Sequence, residues 1–250
     1  MSVIELRKVY NGGVLETVRL NELLRQLSGE DRRLTNIDIW NILEQRSFYA
    51  AAQFEKNLGD DEDPGRVGLP VAMASAHYPL VAPISQRIVY VDDVVVHEGY
   101  RGRGYGQLLT EALIVWARDR QAAFVDLTSA PNRVAANELY LKMGFRIRPD
   151  IATYRRDISR GHCPCKHNLN LGGIYFARTF MGDKAIVANE ALEKIYEKFK
   201  NRSAFELMAY AAQLGVAHLD VFANPAGLGA ELEEIGFEKR DTNIYRLELK

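Results

Sequence analysis

Nothing in this sequence approaches the roughly 20 consecutive apolar residues that a membrane-crossing helix needs. The opening residues, MSVIELRKVY, hold no basic segment followed by an apolar core, so no secretory leader is expected. Cysteine is nearly absent: only Cys163 and Cys165 occur, separated by a single residue. Such a pair does not readily staple a fold, and a reducing cytoplasm is the expected location. An excess of either charge is also missing, the formal net charge being -1. That disfavours nucleic acid as the main partner, and the lack of an apolar span disfavours a membrane.

What the chain does have is room for a core. Its 250 residues allow one large domain or two small ones. The stretch that organises the rest is Val91 to Gly106, reading VDDVVVHEGYRGRGYG. An apolar run, Ile88 to Val96, predicts a strand. A polar loop with Gly102, Gly104 and Gly106 follows, and then the helical pattern Leu108, Leu109, Ala112, Leu113, Trp116. Strand, glycine loop and helix aim backbone N–H groups and a helix N-terminus at an anion. Glycine would let a phosphate approach those amides, and Arg101 and Arg103 add charge for it.

The loop lacks the Lys-Ser/Thr ending of a Walker A and the spacing of a dinucleotide G-x-G-x-x-G. It fits R-x-x-G-x-G, with Arg101, Gly104 and Gly106 in register. That resembles the coenzyme A pyrophosphate loop of the GNAT superfamily of N-acetyltransferases. A second segment carries the same resemblance: Arg133, Ala136, Tyr140, Gly144 and Phe145 look like that superfamily's cofactor-side helix. Arg133, Ala136 and Tyr140 share one helix face by their spacing. The resemblance covers about Val3 to Ile158 and implies an α/β fold with a mixed central β-sheet flanked by helices, the acyl-CoA N-acyltransferase fold.

Along the chain, strands are expected at Val3–Tyr10, Ser47–Glu55 and Val67–Val81, the last two pairing as a hairpin across an acidic turn. Helices are expected where Leu20, Leu23, Leu24 and Leu27 recur, and over Asn36–Arg46. After the central motif, a helix over about Gly104–Arg120 and a strand over Ala123–Thr128 lead to a helix over Asn132–Met143, capped by Asn132 and stopped by Gly144. Phe145 to Ile158 is expected to give one or two closing strands.

The end of the chain repeats an earlier order. Asp126, Pro131, Gly144-Phe145 and Tyr154-Arg155 are matched by Asp220, Pro225, Gly236-Phe237 and Tyr245-Arg246. The sequence therefore reads as a catalytic domain over 1–158, a linker over 159–170 and a shortened, degenerate, non-catalytic copy over 171–250. Where the first half has its glycine loop, the second offers Lys200-Asn201-Arg202-Ser203-Ala204, and Glu233 or a neighbour replaces the helix tyrosine. The copy would support the first half as a built-in dimer partner or wall its substrate cleft; the rival reading is an unrelated appendage. A monomer with an internal pseudo-dimer, or a homodimer, is expected. His162, Cys163, Cys165 and His167 in the linker are too crowded to close a tetrahedral zinc site, so no metal is expected.

The resemblance implies acetyl transfer from acetyl-CoA to an amine, on a small molecule or a protein. A lysine-like amine near a pKa of about 10.4 is mostly protonated at neutral pH, so a base is needed. Asp92 or Asp93 stands at the position where the superfamily has an acidic residue on the substrate side, and a strand bulge there would blur which one faces the cleft. Tyr140 matches the tyrosine placed near the cofactor sulfur. The backbone of Val94, Val95 and Val96 would serve the oxyanion and the pantetheine arm. Arg101, Gly102, Arg103, Gly104, Tyr105 and Gly106 would hold the diphosphate, with Arg133 on phosphates and Asn132 and Asn137 on the arm. His97 adjoins the loop as a further candidate base or a capping group. The alternative function is a non-catalytic acyl-CoA-binding regulator or scaffold; acylation of charged tRNA is a third, disfavoured by the charge balance.

Overall fold

The structure is a computed structural model that describes residues 2–5, 14–29, 33–43, 47–53, 70–77, 88–157, 174–179, 182–187, 218–234 and 236–249. The acidic turn, the 159–170 linker and the 200–204 segment lie outside these residues. The fold is α/β, with mixed β-sheet flanked by helices. Contacts gather the chain into two units, one of residues 1–78, 89–121 and 179–181, the other of 79–88, 122–178 and 182–250.

In the first unit, β1 (Ser2–Glu5), β2 (Ser47–Gln53), β3 (Pro70–His77) and β4 (Ile88–Val96) pair in that order, all antiparallel. The expected β2–β3 hairpin is present. Every residue from Val71 to Ala76 is buried, so β3 is covered on both faces, as its unbroken small and apolar run requires. Helix α1 (Val14–Ser28) packs on β3, α2 (Asn36–Leu43) on β2, and α3 (Tyr105–Asp119) on β1, β2 and β3. Leu20, Leu23 and Leu24 bury the i, i+3, i+4 stripe of α1. Thr35 and Asp38 close the start of α2 reciprocally: Asp38 Oδ2 accepts the Thr35 N–H at 2.8 Å, and Thr35 Oγ1 accepts the Asp38 N–H at 3.2 Å.

The second unit holds β5 (Phe124–Ser129), α4 (Val134–Lys142), β6 (Arg146–Ile147), β7 (Ala152–Asp157), β8 (Ile174–Thr179), β9 (Gly182–Val187), β10 (His218–Ala223), α5 (Ala230–Glu234), β11 (Glu238–Lys239) and β12 (Asn243–Glu248). Strands β11, β7, β10, β9 and β8 lie in that order, and β9–β10 is a parallel pair. The chain's last strand, β12, lies between β5 and β6. Strand β7, expected to close the first half, lies between β10 and β11 instead. Both ladders run in one register: Arg246 faces Asp126 in the first, and Arg155 faces Asp220 in the second. The Tyr154-Arg155 and Tyr245-Arg246 pairs thus occupy equivalent register positions in their two ladders. Helices α4 and α5 also end alike. Gly144 (φ 91°) and Gly236 (φ 86°) take the left-handed conformation, while the Phe145 N–H bonds the Tyr140 carbonyl at 3.0 Å and the Phe237 N–H bonds the Leu232 carbonyl at 2.9 Å.

Candidate active site

In the first unit, β4 delivers the chain to the glycine loop through a single 3-10 turn, Glu98–Tyr100. Gly102 (φ 74°) and Gly104 (φ 83°) both adopt the left-handed conformation, which explains glycine at those two positions. Among the described residues, a Cβ at either would meet no atom within 4 Å. Gly104 is the N-cap of α3 and, as a glycine, brings no side chain to cap that end. An α-helix leaves its first N–H groups without intrahelical partners, and here they include those of Tyr105 and Gly106. Arg101 is exposed and anchored through Nε to the Val96 carbonyl at 3.2 Å; the exposed Arg103 guanidinium lies 5.2 Å over the Tyr100 ring. Tyr105 offers only its backbone: its side chain is buried, edge-on to Tyr100.

The carboxylates stand on an irregular stretch of β4. Ser75 pairs with Asp93 but Ala76 pairs with Val91, so Asp92 is the extra residue of a β-bulge. Asp93 is buried and its Oδ2 accepts the Ser75 hydroxyl at 3.1 Å; Asp92 is half-buried. Val95 is buried opposite Met73, while Val94 and Val96 are half-buried.

In the second unit, α4 begins at Val134 with Arg133 as its N-cap. Asn132 is therefore not the cap: it sits exposed in the preceding turn, and the backbone of Arg133 takes the capping position without a side-chain bond. Asn137 Nδ2 donates to the carbonyls of Ala130 (3.0 Å) and Pro131 (3.2 Å), fixing that turn, and its buried Oδ1 has no partner among the described residues. Tyr140 is the one buried residue of α4. Burial pushes its phenol up from 10.0 to about 12; the Arg133 charge opposes this and Tyr245 adds to it.

Several partners were not read from the sequence. His97 Nδ1 accepts the Gly99 N–H at 3.1 Å, and Nε2 lies 2.8 Å from Glu22 Oε1, so the candidate base is a structural group. Gln26 Oε1 accepts the Glu98 N–H at 2.8 Å. The i, i+4 spacing of Glu22 and Gln26 on α1 was the available signal. In the second unit, Arg246 makes a bidentate pair with Asp126 at 2.8 and 2.7 Å, both side chains nearly buried.

The family model of the acetyltransferase (GNAT) family matches residues 21–145, half of the 250 residues. No curated protein matches the chain. Among solved structures it is similar to Arabidopsis thaliana NAA60 in complex with a bisubstrate analogue, at 17% identity and a TM-score of 0.46, over 61% of this chain and 88% of that one. It is also similar to a Trypanosoma brucei acetyltransferase, at 21% identity and a TM-score of 0.45, over 59% of this chain and 93% of that one. The family match takes in both the glycine loop and the Arg133–Phe145 segment, and the chain belongs to the GNAT acetyltransferase family, acyltransferases that use acyl-CoA.

Proposed function

We propose that this chain is a cytoplasmic N-acetyltransferase that moves the acetyl group of acetyl-CoA onto a primary amine, of a small molecule or a protein, by direct attack. The observation that carries the reading is the loop Arg101–Gly106. It combines two exposed left-handed glycines, a helix start whose N-cap is glycine and two exposed arginines. Those features suit a diphosphate: amides approach it closely, the helix end favours its charge, and guanidinium groups flank it.

Acetyl-CoA supplies the thioester carbonyl that is attacked and the thiolate that leaves. One of Asp92 and Asp93 takes a proton from the ammonium form of the acceptor, directly or through water, so that a neutral nitrogen attacks. Tyr140 donates a proton or hydrogen bond to the departing sulfur; with its pKa pushed up to about 12 it is protonated at any physiological pH. Amides of Val94–Val96 hold the carbonyl oxygen as it gains charge. Asn137 Oδ1 accepts from an amide of the pantetheine arm, with Asn132 beside it, and Arg133 meets a phosphate.

In the same reading 1–158 is the catalytic domain, 159–170 a linker and 171–250 a degenerate, non-catalytic copy, an internal pseudo-dimer partner. The common register of the β5–β12 and β10–β7 ladders supports this, as do the matching ends of α4 and α5. By those helix ends, Leu232 stands where Tyr140 does, so the second copy has no phenol there. The test is a thermal-shift titration with acetyl-CoA, followed by thiol release with a polyamine, an aminoglycoside and a peptide N-terminus. Acetyl-CoA should raise the melting temperature by mass action, and one amine class should release thiol. Absence of any acyl-CoA affinity, or binding without transfer across the panel, would overturn the proposal.

A further inference from the structure

The geometry points to Tyr245 as a positioning residue for Tyr140: the chain's final strand, seated between β5 and β6, fixes where that phenol stands. The assignment rests on Tyr140 being the proton donor. Helix α4 is nine residues long, and Tyr140 is its sole buried side chain. Among the described residues two rings flank Tyr140, Phe145 at 5.8 Å just after the helix and Tyr245 at 5.7 Å on β12. Tyr245 is 1% exposed and so cannot shift without disturbing the core.

Strand β12 is itself pinned along its length. Arg246 forks onto Asp126 of β5 and lies 4.5 Å over the Phe124 ring. The Ile244 carbonyl accepts the Arg148 N–H at 2.8 Å, and the Leu249 N–H donates to the Ala123 carbonyl at 2.8 Å. Leu247 Cδ1 would lie 3.6 Å from a Cβ at Gly144, the residue that ends α4. Because strand side chains alternate, slipping by one residue would turn Tyr245 away from Tyr140 and Arg246 away from Asp126. Residues 243–249 thus belong to the acid half of the site although they lie more than 100 positions beyond Tyr140 in the sequence.

The test is the full chain carrying ring-labelled tyrosine, followed by NMR, with the Tyr140 signal assigned by its loss in Tyr140→Phe. In the unsubstituted chain that signal should stay neutral until about pH 12. Tyr245→Leu should move the signal and bring its ionisation to lower pH, because the ring's desolvation is lost. With acetyl-CoA and the best amine of the polyamine, aminoglycoside and peptide panel, kcat should fall about tenfold, as small misplacements do, while KM for acetyl-CoA changes less than about twofold. Tyr245→Phe should restore signal and rate. A folded Tyr245→Leu chain with unchanged Tyr140 signal and ionisation would overturn the proposal. Should that variant not fold, Tyr245→Met, which keeps an apolar side chain but removes the ring, is read the same way; an unchanged Tyr140 signal there is equally fatal. If Tyr140→Phe turns over normally, the proton-donor reading fails, while the NMR result still decides the positioning.

Discussion

His97 and Glu22, 75 positions apart, are joined at 2.8 Å, and the ring nitrogen opposite that bond accepts the Gly99 N–H. The accepting Nδ1 makes Nε2 the protonated nitrogen of a neutral ring, so Nε2 donates to the carboxylate. One turn along α1, Gln26 accepts the Glu98 N–H. Helix α1 therefore holds the start of the turn that leads into the glycine loop, at two adjacent residues. Glu22 is partly exposed, so the bond contributes modestly. Glu22→Ala should weaken acyl-CoA binding several-fold, about 1 kcal/mol, with kcat nearly unchanged; Glu22→Gln, which keeps an acceptor, should fall between. Calorimetric titration with CoA checks this, and unaltered affinity in Glu22→Ala would show that α1 does not steady the loop.

Gly104→Ala separates backbone strain from ligand access. An alanine at φ 83° costs roughly 1 kcal/mol or somewhat more, and among the described residues its methyl group meets no atom within 4 Å. The melting temperature should fall by a few degrees. The methyl group projects where a diphosphate would approach, so acyl-CoA affinity should fall about tenfold or more. Gly99→Ala is the control: its φ is not left-handed and its Cβ would make an ordinary 3.5 Å contact with the His97 ring. Similar affinity losses in both variants would remove the special place of Gly104.

These two cases mark what the sequence could and could not disclose. Glycine pattern and helical spacing located the loop, the start of α3 and the Gly144 stop, because those features depend on neighbours within a few residues. Asn132 was misread as a cap because a side chain's capping potential does not say which residue's backbone turns first. The place of β7 was misread for a different reason. A two-residue period tells which face of a strand is buried, not which ladder it joins, and the same Tyr-Arg pair stands at equivalent register positions in β7 and β12. For the His97–Glu22 bond the sequence offers only the i, i+4 spacing of Glu22 and Gln26, which does not say what that helix face meets. The Asp92 bulge was open to anticipation only through the family resemblance.

Tyr140 ties stability to alkaline pH. Its phenol ionises at 10.0 in an unfolded chain and at about 12 in the folded one. Below pH 10 both states hold the proton and there is no difference. Between 10 and 12 the unfolded chain releases it while the folded chain cannot, so stability falls as pH rises. The loss approaches about 3 kcal/mol at 1.36 kcal/mol per pH unit. Urea unfolding at pH 9 and pH 11 should show a smaller drop for Tyr140→Phe than for the unsubstituted chain. Equal drops would mean that the phenol titrates normally.

Arg246 and Asp126 join the last strand of the chain to β5 through two nearly buried charges. Burial of such charges is costly unless both are present in good geometry, and the forked 2.8 and 2.7 Å bonds supply that geometry. Removing one partner leaves the other desolvated. Arg246→Ala should therefore cost about 3–5 kcal/mol, a large share of the roughly 5–15 kcal/mol that holds a typical protein folded. Replacing both, as Asp126→Leu with Arg246→Met, takes away both desolvation costs and should recover much of the loss. Urea unfolding of Asp126→Leu, Arg246→Met and the double variant closes the cycle and gives the coupling. A double variant no more stable than Arg246→Ala would show that the ion pair itself, and not the cost of an abandoned charge, keeps β12 in its ladder.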